Sequence, residues 1–222
     1  VELEREAPDS ADVKFSLGLA SVMLGRAEKA EPRFFQCIQL ANAPLEPLLK
    51  LLDSIEEPSP GQQLLVGEIM IRMGKVDEGL NTIRAWLDTP HAVAAQGSGE
   101  GRSGEFYTGE QDCRTFAFER LMGLPADFHG KAPIAFAIAG MAAGLDRIKE
   151  AVEELETLAS LNPASGRGIV EWIMNNESLS STAPGRRLLM KLHIAARDFA
   201  RAAESARVAV EINPAMTGAL LQ

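Results

Sequence analysis

The sequence has little of what disulfide scaffolds and membrane proteins require. It holds two cysteines in 222 residues, Cys37 and Cys113, which excludes a disulfide framework and a CxxC metal or redox pair. No apolar run approaches the roughly 20 residues of a membrane-spanning helix. The longest run, 133–145, is shorter and contains Gly. We therefore expect no membrane insertion within this chain.

Positive charge is also scarce. Lys and Arg number 22 against 31 for Asp and Glu, so the formal net charge is −9. Nucleic acids and anionic membrane surfaces are bound by clustered Lys and Arg, and we expect neither as a partner. The acidic excess is of the kind that keeps a protein in solution.

The Gly-rich segment 91–112 lacks the patterns of a nucleotide site. It has no GK[ST], and no apolar strand precedes a GxGxxG fingerprint. We interpret the segment as a flexible loop between hairpins. The alternative is a binding loop that orders on contact, with Phe106 and Tyr107 as its apolar tip.

Candidate catalytic and metal-binding residues do not form a recognisable pattern. Cys113 and His129 are the conceivable nucleophile and base, and no sequence spacing supports them. The acidic run 149–156 suggests a metal site, but helical spacing places Glu150, Glu153 and Glu154 on a solvated outer face. We predict no enzymatic activity, no metal and no cofactor.

A helical pattern, in contrast, occurs four times. In 10–42, apolar residues recur every three or four positions, Gly25 breaks the pattern, and a second stripe follows, which predicts a helical hairpin. The first stripe holds Val13, Leu17, Ala20 and Leu24, and the second holds Ala30, Phe34, Cys37 and Leu40. The same layout returns in 60–90, 131–163 and 183–214.

A constant register links the four copies. In each copy an apolar residue of the first helix lies 13 positions before a small residue of the second. The pairs are Leu17/Ala30, Val66/Gly79, Ile138/Ala151 and Leu189/Ala202. A small side chain is needed where two helices cross closely, because a larger one holds the backbones apart. The register therefore predicts a close crossing at each small residue.

These copies resemble tetratricopeptide repeats, which are helical hairpins of about 34 residues. The best matches are LG…GRAEKAEPRFFQC, VG…GKVDEGLNTI and RDFARAAESARVAVEINP. The resemblance implies an all-α fold in which antiparallel helical hairpins form a right-handed solenoid. It also implies a single TPR-like domain over 1–222.

The spacing between copies departs from the family. The small residues Ala30, Gly79, Ala151 and Ala202 are 49, 72 and 51 positions apart. The long middle gap predicts a loop or a worn repeat over 91–130. The inward-facing residues of that repeat would be Phe116, Leu121 and Met122. The other two gaps predict irregular extra helices at 45–57 and 166–178.

The resemblance implies a non-catalytic protein–protein interaction scaffold or assembly factor. Such repeats hold a peptide or helix of a protein partner in the concave groove lined by their first helices. The candidate partner-binding residues are Phe15, Glu68, Arg72, Arg187 and Lys191. Arg187 and Lys191 lie one turn apart and suit an acidic partner, although they could instead solvate their helix. The Lys and Asn pattern of the family's carboxylate clamp is missing, so a chaperone-tail clamp is not supported.

Two other functions stay open from the sequence. The chain could be the repeat portion of an enzyme with its chemistry in 91–130, or a self-associating structural module. The chain opens at Val1 without a Met, and 1–13 reads like the tail of a further repeat. A cytoplasmic location is favoured, and an exported or membrane-tethered parent protein is the alternative.

Overall fold

The chain consists of helices and turns wherever the structure describes it. The computed structural model describes residue 7 and residues 9–55, 60–88 and 113–216. These ranges contain thirteen α-helices, two 3₁₀ turns and no β-strand. The helices are α1 (Ala11–Met23), α2 (Ala27–Gln39), α3 (Leu45–Asp53), α4 (Pro60–Arg72), α5 (Val76–Leu87), α6 (Cys113–Met122), α7 (Ala126–His129), α8 (Ala132–Gly144), α9 (Ile148–Leu161), α10 (Gly166–Met174), α11 (Glu177–Ser180), α12 (Ala183–Ala195) and α13 (Phe199–Ile212). The all-α fold class is therefore confirmed, and the solenoid arrangement stays a prediction.

Four pairs of consecutive helices make the most extensive contacts of the described chain. They are α1 with α2, α4 with α5, α8 with α9, and α12 with α13. Each pair falls within one of the four repeated segments of the sequence. Within the described ranges, no helix combines the length and the apolar character needed to cross a membrane.

The chain divides into two compact units, and the boundary lies inside α6. Unit 1 runs to Ala117 and unit 2 begins at Phe118. In unit 1, α2 and α3 both pack against α4. In unit 2, α9, α10 and α11 all pack against α12. Each unit thus contains two hairpins with short helical segments between them in sequence.

Short helices lie in the gaps between the repeated segments. The helix α3 falls within 45–57, and α10 with α11 covers most of the gap around 166–178. In the middle gap lies α6, whose Phe116 and Leu121 are buried while Met122 is 39% exposed. The inward position expected for Met122 is therefore wrong. It is the last residue of α6, about 100° around the helix from Leu121.

The helices of the hairpins in unit 1 approach so closely that glycine is required at the crossing. A Cβ added to Gly79 would lie 2.5 Å from the backbone oxygen of Gly67, and one added to Gly18 would overlap the ring of Phe34. Both contacts are closer than atoms in a packed interior can approach. In unit 2, Ala151 and Ala202 hold the equivalent positions and are 0% and 5% exposed.

All four hairpins turn with the same backbone geometry. Each turn has one residue with positive φ, namely Gly25 (69°), Gly74 (87°), Asp146 (60°) and Arg197 (59°). The N–H of the next residue donates to the carbonyl five positions earlier, as in Arg26 to Ser21, Lys75 to Met70, Arg147 to Ala142 and Asp198 to His193. This bond is characteristic of the Schellman motif. Glycine reaches this φ freely, whereas Asp146 and Arg197 hold a Cβ in a conformation that it disfavours.

The helix α1 buries a different face from the stripe expected from the sequence. Its buried residues are Ala11, Gly18 and Ser21, whereas Leu24 is 69% exposed just beyond the helix end. Small residues face α2 here because the ring of Phe34 fills the space beside Gly18. The hydroxyl of Ser21 also accepts a hydrogen bond of 2.9 Å from Arg33 of α2. The apolar spacing of Val13, Leu17, Ala20 and Leu24 thus predicts the helix correctly but does not mark its buried face.

Candidate partner-binding site

Basic residues are concentrated at the α12–α13 hairpin of an otherwise acidic chain. The hairpin, 183–212, has six Lys or Arg residues and three acidic residues, whereas the whole chain has a net charge of −9. The basic residues are Arg186, Arg187, Lys191, Arg197, Arg201 and Arg207. This local reversal of charge favours association with an acidic partner.

Arg187 and Lys191 both lie on the exposed surface of α12. Arg187 makes no hydrogen bond or ion pair with any residue that the structure describes. The Nζ atom of Lys191 lies 2.7 Å from Oε1 of Glu156 on α9, in an exposed ion pair. Exposed pairs are weak and exchange readily with solvent or a partner. Both side chains are therefore accessible for binding.

Glu68 and Arg72 are placed differently from Arg187 and Lys191, because they bind each other along α4. The Nε and Nη2 atoms of Arg72 donate to Oε1 of Glu68 over 3.1 and 2.9 Å. Only 1% of the Glu68 side chain is exposed, so its carboxylate is not presented to a partner. Phe15 is half-buried, and its ring centroid lies 6.3 Å from that of Phe34, so it packs within its own hairpin.

His129 and Glu154 form a buried pair between α7 and α9. The Nδ1 atom of His129 lies 2.8 and 3.0 Å from the two carboxylate oxygens, and Glu154 is 4% exposed. Burial raises the pKa of Glu154 above its ordinary value of 4.5, and the hydrogen bond with His129 opposes part of that rise. The solvated outer face expected for Glu154 is wrong, because α7 covers this part of α9.

The same contacts bear on catalysis by His129. Its second ring nitrogen, Nε2, lies 3.2 Å from the backbone oxygen of Leu124, so both nitrogens are already engaged. A general base needs a free ring nitrogen, and the described contacts of His129 occupy both of its nitrogens. Among the described residues, no group of three or more His, Cys, Asp or Glu could hold a metal ion. Phe106 and Tyr107 lie outside the described residues.

A cavity of about 650 Å³ opens in unit 2 beside the α12–α13 turn. Its apolar walls include Ala159 of α9, Val170 of α10 and Leu192 of α12. Two ion pairs lie at its edge, Arg167–Glu171 at 2.8 Å and Arg201–Asp198 at 3.5 Å. A volume of this size and a mostly apolar lining with a few polar groups are typical of ligand sites.

His193 brings a polar group to this cavity. It lines the cavity and is 8% exposed, and within the described ranges its ring has no hydrogen-bond partner. Its ring nitrogens are not fully buried, so solvent in the cavity reaches them. Sequence reasoning missed this residue as a site, although it lies one helical turn after the buried Leu189 and so on the same face.

Two comparisons with known proteins gave no relative. Neither a scan of the chain against protein-family models nor a search of the curated proteins gave a match. The likeness to tetratricopeptide repeats therefore rests on this chain's own residues, above all on the constant register between the two helices of each hairpin.

Proposed function

We propose that the chain is a non-catalytic interaction scaffold or assembly factor that binds a segment of another protein. The observation that carries this proposal is the recurrence of one hairpin, with one register and one turn geometry, four times in the part of the chain that the structure describes. Repeated helical hairpins offer their first helices as a binding surface. These helices are α1 and α4 in unit 1, and α8 and α12 in unit 2.

The charge on α12 favours an acidic partner segment. Arg187 and Lys191 are exposed on the first helix of the last hairpin, in a chain with a net charge of −9. This basic surface attracts an acidic segment, whereas the acidic remainder of the chain repels one. Binding is therefore expected to weaken as ionic strength rises.

Capture of partners by the whole chain, followed by titration of each purified partner, tests the proposal. Reversing the charges with Arg187→Glu and Lys191→Glu together should weaken the affinity about tenfold or more, because acidic groups would then face acidic groups. Lys149→Glu is the matched control, since Lys149 is an exposed lysine of α9 that pairs with Glu153 over 3.5 Å.

The possible outcomes distinguish a wrong binding surface on α12 from a wrong scaffold function. Equal affinities of the double variant and the control would remove α12 from the binding surface. Failure of every purified candidate to bind the wild-type chain would contradict the scaffold function itself.

A further inference from the structure

We propose that His129 and Glu154 share a proton that holds α7 against α9, and that loss of this proton at alkaline pH releases α7. The pair, together with the backbone oxygen of Leu124, forms a pH-sensitive latch within unit 2. The latch is independent of the scaffold function.

Both ring nitrogens of His129 face hydrogen-bond acceptors. Nδ1 lies 2.8 and 3.0 Å from the two carboxylate oxygens of Glu154, and Nε2 lies 3.2 Å from the backbone oxygen of Leu124. A neutral imidazole has one N–H group and one unprotonated nitrogen, so it cannot donate to both acceptors. The pair therefore needs a second proton, on Nδ1 or on the carboxyl group, for both hydrogen bonds to form. In either position the pair carries no net charge.

The backbone oxygen of Leu124 fixes one of these protons on Nε2. Leu124 lies between α6 and α7 and is 5% exposed, and no backbone N–H of the described residues donates to its oxygen. Buried carbonyl groups are nearly always hydrogen-bonded, so Nε2 carries a hydrogen and donates it. The other proton then lies between Nδ1 and the carboxyl group of Glu154.

Loss of the shared proton leaves one ring N–H for two acceptors. Either the carboxylate of Glu154 or the oxygen of Leu124 then faces a lone pair of the ring. The carboxylate is 4% exposed, and a buried charge without compensation is costly. Burial raises the pKa of Glu154, which is the direction expected for a pair that retains its proton.

The charged groups on and beside α7 do not replace this proton. Asp127 of α7 is exposed, and Nζ of Lys131 lies 4.3 Å from the ring centroid of Phe128. The helix α8, which packs against α7, contains no charged residue.

The charged groups of α9 and α6 are also accounted for. On α9, Glu150, Glu153 and Glu156 pair with Arg147, Lys149 and Lys191. The charged residues of α6 are Arg114, Glu119 and Arg120. Among the described residues, the charged group that acts on the pKa of Glu154 is His129.

The helix α7 has few contacts besides this pair to hold it in place. It is four residues long, and its buried side chain is Phe128. A helix of this length is not stable by itself, so its position depends on its contacts with α8 and α9. Loss of the hydrogen bonds of His129 is therefore expected to open α7 before the rest of unit 2.

The direction of the pH effect is set by the protons held in the folded and unfolded chain. Above about pH 6.5, a free His and a free Glu together hold one proton on their titrating atoms, whereas the folded pair holds two. The unfolded chain then binds fewer protons, so stability falls as pH rises. The equilibrium constant for unfolding rises by up to about tenfold per pH unit until the folded pair also loses its proton.

Urea unfolding between about pH 6 and pH 9, followed by circular dichroism, tests this linkage. In Glu154→Gln the amide N–H donates to Nδ1 while Nε2–H still donates to Leu124, so no second proton is needed. Glu153→Gln is the matched control, because it removes the same charge from an exposed position on α9, 3.5 Å from Lys149. The unfolding constants of the wild type and the control should rise more steeply with pH than that of Glu154→Gln. Equal slopes for all three would overturn the latch.

Amide hydrogen exchange on the wild-type chain locates the opening without a variant. The N–H groups of Phe128 and Lys131 bond to the carbonyls of Pro125 and Phe128 and report on α7, whereas the N–H of Arg147 bonds to the carbonyl of Ala142 at the α8–α9 turn. After correction for intrinsic rates, protection at α7 should fall about tenfold or more between pH 6 and pH 9. Protection at Arg147 should fall less. Unchanged protection at α7, or an equal fall at both places, would overturn the release of α7.

Discussion

The Nδ1 atom of His129 lies 2.8 Å from Oε1 of Glu154, and this contact joins α7 to α9 within unit 2. The carboxyl is 4% exposed, so burial raises its pKa while the hydrogen bond with His129 opposes that rise. Removing one member of a buried pair leaves the other without compensation for its lost hydration. This pair therefore gives the first test of the structure.

Replacing His129 by Ala is expected to lower the free energy of unfolding by about 2–4 kcal/mol at neutral pH. The cause is the Glu154 carboxylate, which would stay buried without the imidazole that binds it. Urea unfolding followed by circular dichroism measures the change. Asp127→Ala on the same short helix is the control, because Asp127 is exposed and surface changes are usually within about 0.5 kcal/mol.

The effect of His129→Ala should also depend on pH. Without His129 the pKa of Glu154 rises further, so the folded variant keeps a proton that the unfolded chain releases. The stability of the variant therefore falls as pH rises from the ordinary glutamate value of 4.5 through the raised folded-state pKa. The loss relative to wild type should be smaller near pH 4.5 than at neutral pH. Equal losses at both would contradict this account.

Alanine at Gly79 is expected to destabilise the chain by about 1–3 kcal/mol. Its Cβ would lie 2.5 Å from the backbone oxygen of Gly67 and 2.7 Å from Cγ1 of Ile71, so α4 and α5 would have to separate. Gly140→Ala is the matched control, since its Cβ would meet nothing closer than Trp172 at 3.7 Å. That control should gain about 0.5–1 kcal/mol from helix propensity. If Gly79→Ala instead stabilised the chain, α4 and α5 could not cross as closely as the structure has them.

Glycine at Arg197 is expected to stabilise the last hairpin by about 0.5–1 kcal/mol, although Gly usually weakens helical proteins. Arg197 has φ 59°, where its Cβ is strained and glycine is not. Arg201→Gly lies inside α13 and should instead lose about 0.5–1 kcal/mol. Urea midpoints that shift in the same direction for both variants would contradict the turn geometry.

The Cys37 thiol is expected to react slowly with iodoacetamide in the folded protein. Its side chain is fully buried, and its Sγ lies 3.3 Å from the backbone oxygen of Ala11. Burial raises the pKa of this thiol to about 11, and the thiolate is the reactive form. Mass spectrometry of a Cys113→Ala variant isolates Cys37 and should show rapid labelling only in urea. Native labelling at the rate of the unfolded chain would be inconsistent with the buried position.

Most of the helices fall where the sequence indicates them. Helical spacing alone locates the four hairpins, because each second helix carries a continuous apolar or small stripe such as Ala151, Leu155 and Leu158, all fully buried. The extra helices are predicted from the spacing of the copies, because the gaps between them are longer than a connecting turn. The burial of His193 could also have been read from its spacing to Leu189.

The remaining features depend on contacts that no local pattern reports. Glu154 is buried because α7 covers it, and a helix of four residues is too short to leave a periodic signal. The buried face of α1 contains Gly18 and Ser21, which carry no hydrophobic signal. Gly18 lies against the ring of Phe34, and Ser21 accepts a hydrogen bond from Arg33. The cavity at His193 arises from four helices that come together only in the fold.

The shared hairpin turn has a consequence for recognising relatives of this chain. Two turns use Gly, while Asp146 and Arg197 adopt the same conformation and make the same closing bond. The four turns thus share one backbone conformation, although the residue at the positive-φ position differs. A search pattern that demands glycine there would detect only half of the hairpins, whereas one keyed to the spacing of the small residues would retrieve all four.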